Sequence, residues 1–138
     1  MKHTIISVIM LLLLLVANGC GSGNQQLTGT VTYSDDGSPV KAGMVVLTSE
    51  GKSGRGDIGP DGKFTIGFES EKNGIPKGKT YTVTIVNAQE ETGLDKSGMP
   101  IMTQLIDQKY SNAATSGFTF TSDGSTKALD LKVDRFKK

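Results

Sequence analysis

The sequence predicts an all-β fold, a single-domain antiparallel β-sandwich of about seven strands. Three observations predict it. Apolar and polar residues alternate with period two in several segments, as a strand with one buried face requires. Clusters of Asp, Gly, Pro and Ser separate those segments. Glycine is abundant, at 18 of 138 residues, and it reaches the positive-φ conformations that tight reversals need.

In chain order, Leu27, Val31 and Tyr33 fall on one side of the first strand, with Thr28, Thr30 and Thr32 on the other. Residues 44–48 are more continuously apolar, which predicts a central strand, and residues 53–58 form a weak strand expected at an edge. Phe64, Ile66 and Phe68 alternate with Thr65 and Gly67. Tyr81, Val83 and Ile85 alternate with Thr82 and Thr84, and Phe118 and Phe120 with Thr119 and Thr121. Leu129, Leu131 and Val133 alternate with Asp130, Lys132 and Asp134. Reversals are expected at Asp35-Asp36-Gly37, Pro60-Asp61-Gly62, Pro76-Lys77-Gly78 and Asp123-Gly124.

The connection 88–116 breaks this rhythm, and long connections are often functional or mobile. Residues 89–98 are polar and read as a mobile loop. Ile101, Met102, Leu105 and Ile106 recur at helical spacing, which predicts a short helical turn within 101–109 capping the sandwich, with Tyr110 as an anchor. Two readings stay open: a lid sealing one end of the core, or a partner-binding loop with Ile101, Leu105 and Tyr110 as candidate contact residues.

The N-terminal segment reads as an export signal. Met1-Lys2-His3 is short and basic, residues 5–17 are almost all apolar, and the run is too short to cross a bilayer as a helix but suits a signal core. It ends at Ala17-Asn18-Gly19-Cys20, which resembles the bacterial lipobox, where the cysteine is acylated and becomes the first residue of the mature protein. The resemblance implies a cleaved leader at 1–19, acyl chains of the palmitate kind on Cys20, and a glycine-rich tether over 20–26. The β-domain is then expected over 27–134, followed by a basic tail at 135–138. Two or three acyl chains give stable membrane attachment where one is marginal. The absence of aspartate after Cys20 favours, by resemblance to Gram-negative systems, the outer membrane, so the expected location is the cell envelope.

The mature chain lacks much catalytic equipment. His3, the only histidine, lies in the leader, Cys20 is the only cysteine, and tryptophan is absent. Ser-His-Asp and Cys-His arrangements and Cys/His zinc sites are therefore excluded. With 15 basic and 14 acidic residues and no basic block, a nucleic-acid partner is not expected. Arg55-Gly56-Asp57 spells an adhesion tripeptide but falls in a strand segment. Asp35 with Asp36, and Asp57 with Asp61, lack the graded spacing of a calcium loop. Glu69, Glu71, Glu90 and Glu91 offer carboxylates on solvated segments, which makes a minor hydrolase the least favoured reading. No cofactor and no metal are expected.

The order of several short motifs resembles transthyretin-like, carboxypeptidase-regulatory-like modules of small planctomycete-type lipoproteins. The motifs are Gly29-Thr30-Val31-Thr32-Tyr33, Gly37-Ser38-Pro39-Val40, Gly43-Met44-Val45-Val46-Leu47, Asp61-Gly62-Lys63-Phe64-Thr65-Ile66, residues 78–85, and Lys109-Tyr110-Ser111-Asn112. Asp107 and Gln108 stand where that family usually has a proline. The resemblance implies a non-catalytic extracytoplasmic module and carries no functional residues over. The expectation is a lipid-anchored structural or protein-interaction module of the envelope. The alternative is a lipoprotein binding a glycan or peptide through 88–116.

Overall fold

The computed structural model describes residues 27–68, 76, 78–123 and 128–137. The expected leader, Cys20, the tether and the Glu69-Ser70-Glu71 carboxylates lie outside the described residues. The fold is all-β and sandwich-like. Among the described residues the strands are β1 (Leu27–Tyr33), β2 (Met44–Ser49), β3 (Lys52–Asp57), β4 (Lys63–Phe68), β5 (Lys79–Val86), β6 (Gln89–Leu94), β7 (Pro100–Gln104), β8 (Phe118–Ser122) and β9 (Ala128–Val133). Among these residues the one helical element is a 3-10 turn at Gln108–Ser111.

Seven strands form a mixed sheet in the order β8-β5-β2-β3-β4-β1-β9, and β6 and β7 form a separate two-stranded sheet. The sheet folds over itself at β4. The first part of β4 pairs with β1, from Lys63 opposite Thr30 to Ile66 opposite Leu27, and its last two residues pass to β3, with Gly67 opposite Arg55 and Phe68 opposite Gly54. A strand that changes partners along its length is how a sandwich makes a corner. The alternation seen in sequence is the burial pattern. Leu27, Val31, Val45, Leu47, Tyr81, Val83 and Val133 are fully buried, and Phe64, Ile66, Ile85, Phe120 and Leu131 nearly so. Each such side chain contributes roughly 1.5–3 kcal/mol by leaving water.

Three expectations are corrected. β9 runs parallel to β1, with Thr28 opposite Ala128 and Tyr33 opposite Val133, so the sheet is not purely antiparallel. Parallel neighbours need a long connection, and the rest of the domain separates these two strands. β3 is interior, between β2 and β4. It reads as weak because its inward positions are Gly54 and Gly56, which have no side chain to register in an apolar pattern. A Cβ on Gly56 would stand 2.2 Å from the Thr65 carbonyl oxygen, so the missing side chain is what lets β4 approach. Arg55-Gly56-Asp57 is thus part of a paired inner strand.

The third correction concerns residues 89–104, which are a β-hairpin and not a loop, so that of the helical turn expected within 101–109 only its end is met, by the 3-10 turn at Gln108–Ser111. Glu90 opposes Thr103, Glu91 opposes Met102, and Leu94 opposes Pro100. The turn was legible as Asp95-Lys96-Ser97-Gly98. Asp95 Oδ1 accepts from the Ser97 N–H at 2.7 Å and the Met99 N–H at 2.9 Å, and Gly98 takes φ 80. An aspartate receiving the next main-chain N–H groups, with glycine supplying the left-handed residue, closes a hairpin by local chemistry alone.

Candidate interaction surface

The chain enters the described fold at Leu27, at one pole. β1 runs for seven residues, a span of roughly 20 Å at about 3.3 Å per residue, and ends at Tyr33 at the other pole. There the Leu105 N–H donates to the Ala88 carbonyl at 2.9 Å, and the Asp107 N–H donates to the Asp134 carbonyl at 3.0 Å. The β6–β7 hairpin leaves the sandwich from this distal pole.

Two polar clusters fix its base. Arg135 pairs with Ile106 in an isolated bridge. Its Nε donates to Asp35 at 2.9 Å, its Nη2 donates to Asp36 at 2.8 Å and to Ser38 Oγ at 3.0 Å, and its guanidinium lies 3.7 Å from the Tyr33 ring centre. The Ser38 hydroxyl and N–H hydrogen bonds, with Arg135 alongside, hold the Asp36 carboxyl down at about 2. Burial pushes the Tyr33 hydroxyl up. Arg135, drawn from sequence as the first residue of a basic tail, is therefore built into the fold, and Asp35 and Asp36 are occupied by a guanidinium.

In the second cluster Asp134 accepts from Lys109 Nζ at 2.6 Å, Ser34 Oγ at 2.7 Å and the Tyr110 hydroxyl at 3.1 Å. These bonds, Lys109 foremost, hold its carboxyl at about 2. The Tyr110 hydroxyl in turn accepts from the Asp134 N–H at 3.1 Å, and the Tyr110 ring stacks on Phe118 with centres 5.3 Å apart. Asp107 begins the 3-10 turn by accepting the Lys109 N–H at 2.9 Å. Tyr110 is thus the anchor expected from sequence.

The structure separates the three residues singled out as candidate contacts. Tyr110 is buried, Leu105 packs against the core, and only Ile101 stands in solvent. Helical spacing would have placed Ile101 and Leu105 on one face, whereas here they belong to a strand and to the segment leaving it. Ile101 shares the hairpin with further exposed apolar side chains. Leu94 and Met99 are more than 60% exposed, at 63% and 64%, and Met102 stays 52% and Ile101 46% exposed. Of the five exposed large hydrophobics among the described residues, only Phe136 lies outside the hairpin. Its N–H donates to the Leu105 carbonyl at 3.3 Å, so it too belongs to the distal pole.

A cleft of about 310 Å³ beside the hairpin base is rimmed by Asn87, Gln89, Gln104, Gln108 and Ser111 over a floor that includes Ile106. A second, of about 270 Å³, lies between Tyr33, Lys41, Glu90, Leu105 and Arg135. Both offer hydrogen-bonding groups to a ligand. Among the described residues no three of Asp, Glu, His or Cys converge as a metal site would require.

No family model matches the chain, and no curated protein matches it. A solved 9R-lipoxygenase from Cyanothece PCC8801 aligns at 15% identity and TM-score 0.38, over 78% of this chain and 16% of its own length. At that TM-score the likeness carries no argument.

Proposed function

We propose that this protein is a lipid-anchored module of the bacterial cell envelope that presents the β6–β7 hairpin to a protein partner. The carrying observation is the concentration of exposed apolar side chains on that hairpin: Leu94, Met99, Ile101 and Met102. Exposed large apolar side chains gathered on one element support an interaction site there. Its place supports the same reading, because the hairpin leaves the pole opposite Leu27, where a tether from Cys20 would arrive. The Ala17-Asn18-Gly19-Cys20 motif supports acylation at Cys20, and the motif order supports a transthyretin-like, non-catalytic module.

A photo-crosslinking residue at Met102, compared with one at Thr80 on the pole of Leu27, tests this reading in native membranes. A discrete adduct from position 102 and none from 80 is the expected result. Equal labelling at both positions, or a free thiol at Cys20 by mass spectrometry, overturns it. The amide-rimmed cleft of Asn87, Gln89, Gln104 and Gln108 favours a second reading, a glycan or peptide ligand held at the hairpin base. Stabilisation by a glycan in a thermal-shift screen, lost in Gln104→Ala, would favour that reading over the first.

A further inference from the structure

The two edges of the β6–β7 hairpin are built differently. β6 carries Glu90 and Glu91 in succession, and its register slips between Glu91 and Leu94 around Gly93, at φ 147. Charges and bulges are the usual protection of an exposed edge against unwanted pairing. β7 is uncharged throughout, Pro-Ile-Met-Thr-Gln, and among the described residues no strand pairs with its other edge. The Leu105 N–H bonds the Ala88 carbonyl. The alternation of an antiparallel ladder therefore turns the main-chain groups of Thr103 toward β6 and those of Met102 and Gln104 outward.

Both faces around that edge combine apolar surface with acid. Glu91, Leu94, Pro100 and Met102 share one face by their pairing. Glu90, Thr92, Ile101 and Thr103 share the other, and there the hydroxyls of Thr92 and Thr103 lie 2.9 Å apart. Over residues 89–104 the acidic side chains are Glu90, Glu91 and Asp95, and the single base is Lys96. This excess of acid is unsuited to an anionic bilayer. It is equally unsuited to a second copy joined β7 to β7, which would bring no base to Glu90 or Glu91.

We propose that the open edge of β7 receives an extra strand from the protein partner, an extended segment of apolar residues interspersed with lysine or arginine. This rests on the hairpin being the working surface. The segment's main chain bonds to Met102 and Gln104, and main-chain bonds supply the affinity in strand addition while alternate side chains supply the selectivity. Strands stand about 4.8 Å apart, so a long basic side chain on the added strand spans Met102 to reach Glu91, or spans Thr103 to reach Glu90. Its apolar side chains cover Met102 and Leu94 on one face and Ile101 on the other.

The experiment uses the full chain in detergent micelles and an end-capped peptide of alternating valine and lysine, read by amide hydrogen exchange. The peptide is expected to slow exchange at Met102 and Gln104 by about tenfold, the scale at which a bound state outlives local opening. A version N-methylated on one edge still binds through its other edge, whereas a fully N-methylated version does not. Glu91→Gln weakens binding by about threefold, the size of one cross-strand charge pair, and a valine–glutamate peptide fails to bind. Strand addition is overturned if full N-methylation changes nothing. It is overturned equally if Met102 and Gln104 are already protected before peptide is added, as a second copy or the chain's own tail would cause, or if phosphatidylglycerol vesicles protect them as well as the peptide does. Should Met102 give its membrane adduct while N-methylation has no effect, strand addition falls and the hairpin remains the working surface. Should neither appear, both fall.

Discussion

The hairpins β2–β3 and β6–β7 close by comparable local chemistry and meet opposite surroundings. In the first, Glu50 at φ 45 and Gly51 at φ 76 make a two-residue turn between Ser49 and Lys52. Its outer edges are both taken, β2 by β5 and β3 by β4, and Val45 and Leu47 are fully buried. In the second, a turn organised by Asp95 joins strands that, among the described residues, pair only with each other, and Leu94 and Met99 are exposed to water. Turn chemistry decides whether two segments pair, while coverage by neighbours decides whether the pair becomes core or surface.

The sharpest way to break that contrast is truncation on each hairpin. Leu47→Ala should cost roughly 2–5 kcal/mol, because a fully buried leucine leaves a cavity. Met102→Ala should stay within about 0.5 kcal/mol, as exposed positions do. Chemical denaturation measures both, and comparable losses would mean that the hairpin is packed after all. Gly29→Ala should come next, at roughly 1–3 kcal/mol for overpacking. Its Cβ would stand 2.0 Å from the Leu129 carbonyl oxygen and 2.5 Å from the Phe64 ring, and a main-chain oxygen inside the sheet cannot move aside.

Tyr110→Phe sharpens the account of the hairpin's base. It removes a hydroxyl that both donates to the Asp134 carboxylate and accepts from the Asp134 N–H, and a loss of about 1 kcal/mol is expected. The two polar clusters together set an acid response. The carboxyls of Asp36 and Asp134 sit at about 2 in the folded chain against an ordinary 3.8. A carboxylate depressed by folding stabilises the native state above its ordinary value and loses that contribution as pH falls toward the folded value. Thermal stability should therefore hold above pH 4 and fall between about 4 and 2, the span these two values set. Asp134→Asn should flatten that slope. The smallest effect is expected from Asp95→Ala: faster amide exchange confined to residues 89–104, with global stability within about 0.5 kcal/mol, since local opening is separable from global unfolding.

Legibility followed the type of interaction. The strands around Val31, Tyr81 and Leu131 could be read because most inward positions carry a large apolar side chain, Gly29 being an exception in β1, so burial is written into period two. β3 reads only as a weak edge strand, since Gly54 and Gly56 face inward without side chains. The hairpin is masked in the sequence because Ile101, Met102, Leu105 and Ile106 imitate helical spacing, although Asp95-Lys96-Ser97-Gly98 carries the turn signal that resolves it. Asp35, Asp36 and Arg135 gave no sign of meeting, being about a hundred residues apart, a separation that no local pattern spans.

By itself, the sequence determined that this is a β protein without histidine or a second cysteine beyond its expected leader, and which side chains of most strands turn inward. Those properties come from neighbours a few residues apart. Tertiary structure alone decided that β9 runs beside β1 in parallel, that Arg135 closes on Asp35 and Asp36, and that among the described residues β7 is left with an open edge. Each of these depends on which strand arrives alongside which, and the loss of chain entropy in bringing distant segments together is offset only by contacts that exist once the whole sandwich has formed.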